Sequence, residues 1–104
     1  MHDLKFEDIR DQSLTVRWQE PMEVNGILRG YKVEWKKKDS IETPQSVDLQ
    51  SLQTYYTIQG LIPVTNYTIC VNARTNEGFG EVECADIKSG VSPGMSTNYL
   101  SFSF

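Results

Sequence analysis

The sequence predicts an all-β fold: a sandwich of seven short antiparallel strands. Apolar and polar residues alternate with a period of two almost throughout, and turn-forming residues break that alternation at intervals of roughly 8–12 residues. The run Leu61-Ile62-Pro63-Val64-Thr65-Asn66-Tyr67 is followed by alternating Thr68-Ile69-Cys70-Val71-Asn72-Ala73. An apolar residue, a φ-fixing proline, a short polar residue and a tyrosine at even spacing suit a corner between two sheets. There the tyrosine ring enters the core and its hydroxyl bonds back to upstream backbone. No segment of useful length has helical periodicity, and there is no internal repeat.

Leu4, Phe6 and Ile9 form the first expected strand, with a bend after Phe6 where alternation breaks. Leu14, Val16 and Trp18 point inward from the second, alternating with Thr15, Arg17 and Gln19. The stretch from Glu20 to Gly26, with Pro21 and Asn25-Gly26, ends that strand in a turn. The third strand runs from Gly30 to Lys36, with Tyr31, Val33 and Trp35 inward. A charged loop from Lys37 to Gln45 leads to a short fourth strand from Ser46 to Leu49. Tyr56, Ile58 and Leu61 face inward after it, and Tyr67, Ile69, Val71 and Ala73 do so on the sixth strand. Asn76 to Glu81 reads as a glycine-rich hairpin loop, and the seventh strand as Val82 to Lys88. This divides the chain into a domain over residues 1–89 and a linker or disordered tail over residues 90–104.

At 104 residues the chain fits one domain that buries roughly two-thirds of its unfolded surface. Its net charge is −4 and its positive residues are scattered except for Lys36-Lys37-Lys38. A nucleic-acid binder would instead show a basic stripe, so no nucleic-acid partner is expected. No apolar run is long enough to span a membrane, the sequence shows no signal-peptide pattern, and Met1-His2-Asp3 reads as a cut point. The expectation is therefore a piece of a longer protein, without membrane insertion by this segment.

The chain resembles the fibronectin type III family over roughly Asp3 to Ser89. The resemblance rests on Ser13-Leu14-Thr15-Val16-Arg17-Trp18 with Pro21, on Gly30-Tyr31-Lys32-Val33-Glu34-Trp35, and on Tyr56-Thr57-Ile58-Gln59-Gly60-Leu61. The Leu61, Pro63, Thr65 and Tyr67 corner and the run from Ala73 to Gly80 complete it. It implies an immunoglobulin-like β-sandwich with fibronectin type III topology, in which Trp18, Tyr31, Leu61, Pro63 and Tyr67 determine the fold. An antibody-type domain would place its tryptophan on the third strand and bridge the second and sixth strands. Here Trp18 is on the second strand, which has no cysteine.

Catalytic chemistry is not expected. His2 is the only histidine and sits at the terminus, where no third group holds it for a nucleophile triad. Two distant cysteines lack zinc-ligand spacing. Glu77, Glu81 and Glu83 are more simply read as solvated charge than as a calcium cage. No metal or cofactor is expected. Gly78 and Gly80 join two strands rather than opening a helix, so they do not make a phosphate loop.

Cys70 and Cys84 are equidistant from Glu77 near the expected turn. Hairpin pairing centred there would bring their Cβ atoms close enough for a disulfide on the solvent face. A turn centred one or two residues later would separate them and leave two free thiols. Asn66-Tyr67-Thr68 is the one N-glycosylation sequon, and inward Tyr67 turns Asn66 to solvent. Both features suit an extracellular module. Lys36-Lys37-Lys38 reads as charge that solvates an edge strand and discourages pairing, rather than as a polyanion site. Phe79, between two glycines, reads either as an exposed anchor or as a cover for the end of the core.

The resemblance implies a non-catalytic extracellular spacer and protein-interaction module of an adhesion or receptor protein, monomeric in isolation and flanked by tandem domains. The alternatives are a cytoplasmic module of a muscle-type array, or an ectodomain module of a receptor-type phosphatase or kinase. Expected contact surfaces are the loop from Met22 to Arg29, the tip from Asn76 to Glu81, and the outward row Lys32, Glu34, Thr68, Asn72 and Arg74.

Overall fold

The computed structural model describes residues 4–21 and 26–91. Seven strands form two antiparallel sheets: β1 (Lys5–Glu7), β2 (Ser13–Arg17), β3 (Leu28–Lys37), β4 (Gln45–Leu49), β5 (Tyr55–Gln59), β6 (Asn66–Thr75) and β7 (Gly78–Lys88). One sheet has the order β1-β2-β5 and the other β4-β3-β6-β7. His2, the turn residues Met22 to Asn25 and the tail from Ser92 onward lie outside the described residues.

Alternation builds the core. Leu14 and Val16 from β2, Tyr31, Val33 and Trp35 from β3, Ile58 from β5, and Ile69, Val71 and Ala73 from β6 are buried between the sheets. Trp18, one residue beyond β2, packs edge-on against Tyr31 with ring centroids 5.2 Å apart. Trp35 lies against Tyr56 at 6.2 Å. Edge-to-face and tilted ring pairs place ring hydrogens against π density and add to area burial. Thr15 departs from its outward expectation and is buried. It is central in a three-stranded sheet, between Glu7 and Thr57, and shares a 2.8 Å hydrogen bond with the Thr57 hydroxyl.

The first strand is shorter than expected. It ends at Glu7, Asp8 takes a left-handed φ of 50°, and Ile9 is exposed. The lysine run also needs correction. It closes β3, which lies between β4 and β6 and is not an edge strand. Lys36 Nζ donates to the Ser40 carbonyl at 2.8 Å and Lys38 Nζ pairs with Asp86 at 3.2 Å, so two of the three ammonium groups are engaged within the domain.

At the corner, the Ile62 N–H donates to the Tyr67 hydroxyl at 2.8 Å, with the Tyr67 ring buried. Ser89 Oγ donates to the Ile62 carbonyl at 2.5 Å and accepts from the Thr65 N–H at 2.9 Å. Gly90 bonds Arg10 through its N–H and Val64 through its carbonyl. The corner is thus closed by the residues that follow β7 as well as by Tyr67.

Candidate functional site

The outer face of the four-stranded sheet carries the residues singled out as contacts, and the register explains why. Glu34 pairs with Cys70 and Cys70 with Cys84; Lys32 pairs with Asn72 and Asn72 with Val82. On β3 and β6 each alternates with buried neighbours, and cross-strand pairing puts Cys84 and Val82 on the same outer face. Cys70 and Cys84 are joined by a disulfide, S–S 2.07 Å, across strands whose Cα atoms are 4.1 Å apart there. The bridge replaces no core contact, because both cysteines lie on the outer face.

Phe79 is where sequence reasoning misplaces an element. The seventh strand begins at Gly78, not Val82, and the turn shrinks to Asn76-Glu77 between the paired residues Thr75 and Gly78. Gly78 adopts φ of 112°, a region glycine enters without a Cβ penalty. Glu77 N–H donates to Thr75 Oγ1 at 3.0 Å, tightening the turn. Phe79 is therefore a strand residue opposite Arg74, more than half exposed, and does not cover the core.

A bulge follows immediately. Asn72 pairs with Val82 and Arg74 with Phe79, so Ala73 alone stands opposite both Gly80 and Glu81. Regular alternation would send Phe79 and Val82 to opposite faces; the extra residue returns both to the outer face. Phe79 is 57% and Val82 52% exposed. Lys32 Nζ lies 5.2 Å from the Phe79 ring centroid and 3.7 Å from Glu34. Asn72 Oδ1 and Arg74 Nη1 are buried within this face, and among the described residues neither has a hydrogen-bond partner.

At the other end of the same face, Thr68 Oγ1 donates to Asp86 at 2.7 Å. That bond, followed by the Lys38 ammonium, holds the Asp86 carboxyl below the usual aspartate range. Asn66 is exposed at the start of β6. Arg29 is exposed near the start of β3, where Asn76 clamps the chain by accepting from the Ile27 N–H at 2.6 Å and donating to its carbonyl at 3.1 Å. The asparagine in the turn gives no sequence signal of that clamp beyond its residue type.

A concavity of about 220 Å³ is lined by Trp35, Lys37, Glu42, Gln45, Leu61 and Tyr67. Among the described residues no set of three or more His, Cys, Asp or Glu side chains is gathered as metal ligands. Among them, too, no helix is long and apolar enough to cross a membrane.

A family model for the fibronectin type III domain matches residues 1–85. The chain belongs to the fibronectin type III domain family. It is 44% identical over 98 residues to Protein sidekick-2 of Mus musculus, covering 91% of the chain and 4% of that protein. It is 44% identical over 92 residues to Protein sidekick-1 of Homo sapiens, covering 88% of the chain and 4% of that protein. A two-domain fibronectin type III segment from chicken tenascin superposes with a TM-score of 0.76 at 22% identity, covering 85% of this chain and 48% of that one. The chain thus spans a small fraction of the sidekick proteins it resembles, and one fibronectin type III unit is what the likeness covers.

Proposed function

We propose that this fibronectin type III module is a non-catalytic spacer and protein-interaction domain on the extracellular side of an adhesion or receptor protein, set among tandem domains. The observation that carries the reading is the Cys70–Cys84 bridge on the solvent face of β6 and β7. An exposed cross-strand disulfide persists in an oxidising compartment and is reduced in the cytosol. Exposed Asn66 in its sequon, four residues before Cys70, fits the same compartment. Likeness to the sidekick proteins supports an adhesion-type parent. The sandwich supplies rigidity, and the outer face with Arg29, Lys32, Glu34, Asn72, Arg74 and Phe79 supplies the contact surface.

The test is secretion of the tagged domain from mammalian cells. The expected product is secreted, carries an endoglycosidase-sensitive glycan that Asn66→Gln removes, and binds cell surfaces saturably. A folded product that stays inside the cell with both thiols free would favour the cytoplasmic alternative instead.

A further inference from the structure

We infer that the hairpin end of the outer sheet face docks a polypeptide partner that presents a carboxylate flanked by apolar side chains. The inference rests on the interaction-module reading above and assigns that surface its ligand chemistry.

Three independent features converge there. The bulge opposite Ala73 places Phe79 and Val82 side by side on one face, both more than half exposed. Aromatic and aliphatic groups in that state bury readily under a partner and anchor interfaces. Arg74 stands directly opposite Phe79, and its Nη1 is buried with no hydrogen-bond partner among the described residues. The Arg74 side chain as a whole is only half-buried, so its charge still reaches the surface, and a carboxylate docked there gains a charge-assisted pairing that no described residue within this face supplies to Nη1. Lys32 adds a second cation over the Phe79 ring. In a chain of net charge −4, Lys32 and Arg74 form a local basic spot bordered by apolar groups, so charge complementarity selects an acidic partner group.

The β7 edge offers an alternative mode, strand addition, but its features oppose that. The bulge in its pairing with β6 bends the strand, and Glu83 places a carboxylate along it. The face rather than the edge is therefore the docking surface. Glu34, 3.7 Å from Lys32, partly neutralises that lysine and leaves Arg74 as the principal carboxylate donor.

The experiment titrates the oxidised, 15N-labelled chain with acetyl-Trp-Asp-Leu-amide and follows backbone amide shifts. Saturating shifts centred on Lys32, Asn72, Arg74, Phe79 and Val82 are expected. Affinity should fall about tenfold or more for acetyl-Trp-Asn-Leu-amide, and similarly for Arg74→Gln and Phe79→Ala; Glu7→Gln, on the other sheet, should change nothing. Unaltered melting of the variants separates lost binding from lost fold. No shifts at millimolar peptide, equal binding of the Asp and Asn peptides, or shifts confined to the outer edge of β7 would each overturn the inference. Cell-surface binding distinguishes the two readings. If the wild-type domain binds cells and both variants bind equally well, this site fails while the module reading stands. If the peptide binds as expected but the wild-type domain binds no cell surface, the module reading fails and the site stands.

Discussion

The backbone N–H of Ile62 donates to the phenolic oxygen of Tyr67 at 2.8 Å, tying the passage from β5 to β6 to the buried tyrosine. Both ends of the Ile62 peptide environment are held, because Ser89 Oγ takes the Ile62 carbonyl at 2.5 Å. Tyr67→Phe leaves the ring in the core and orphans a part-buried N–H. Its expected cost is on the order of 1–3 kcal/mol in urea denaturation. A cost near zero would mean that water replaces the hydroxyl without penalty.

Ser89→Ala removes the donor to Ile62 and the acceptor for Thr65 together. A loss on the order of 1–3 kcal/mol is expected. Because Tyr67 and Ser89 hold the same residue, the double variant should depart from additivity by about 0.5 kcal/mol or more. Strict additivity in a double-mutant cycle would make the two contacts independent.

Cys70→Ser with Cys84→Ser tests the bridge energetically. It closes a short loop, with a sequence separation of 14, for which chain entropy gives roughly 3 kcal/mol. The variant should still fold, since neither cysteine contributes to the core. Loss of the dispersed amide spectrum at room temperature would show that the bridge is needed for folding itself.

Alkaline stability should depend on Tyr31. Burial, then the Glu20 carboxylate, pushes its hydroxyl above the ordinary 10.0, and the nearby Trp18 indole N–H partly offsets this. The Tyr31 hydroxyl and Trp18 Nε1 nonetheless stop short of hydrogen-bond geometry with any partner among the described residues. The folded state therefore keeps a proton that the unfolded chain loses near pH 10. Its stabilising contribution is complete below that pH and declines as pH rises through the higher folded value. Melting temperatures from pH 8 upward should fall less steeply for Tyr31→Phe than for the natural chain; parallel curves would remove Tyr31 as the cause. Asp86 has the opposite sign: its contribution holds above about 3.8 and is lost as pH falls through the lowered folded value.

Much of this architecture was legible because alternation is a local property. Tyr31, Val33 and Trp35 on one strand, and Tyr67, Ile69, Val71 and Ala73 on another, announce a buried face without knowledge of their partners. The corner was legible for the same reason, as its proline, threonine and tyrosine fall within seven residues. What escaped depends on pairing. Gly78-Phe79-Gly80 looks like a loop until the bulge opposite Ala73 is known, since glycine serves turn and bulged strand alike. Thr15 looks exposed until the central position of β2 is known. The lysine run was misassigned to an edge because strand order is not written in local sequence.

The central claim, a module built for the oxidising side of the membrane, is tested most directly by counting thiols. The domain should be purified from mammalian culture medium without reductant, unfolded, alkylated and weighed intact. The account predicts that neither Cys70 nor Cys84 takes up alkylating agent until a reductant is added. Two alkyl groups on the unreduced protein would contradict it.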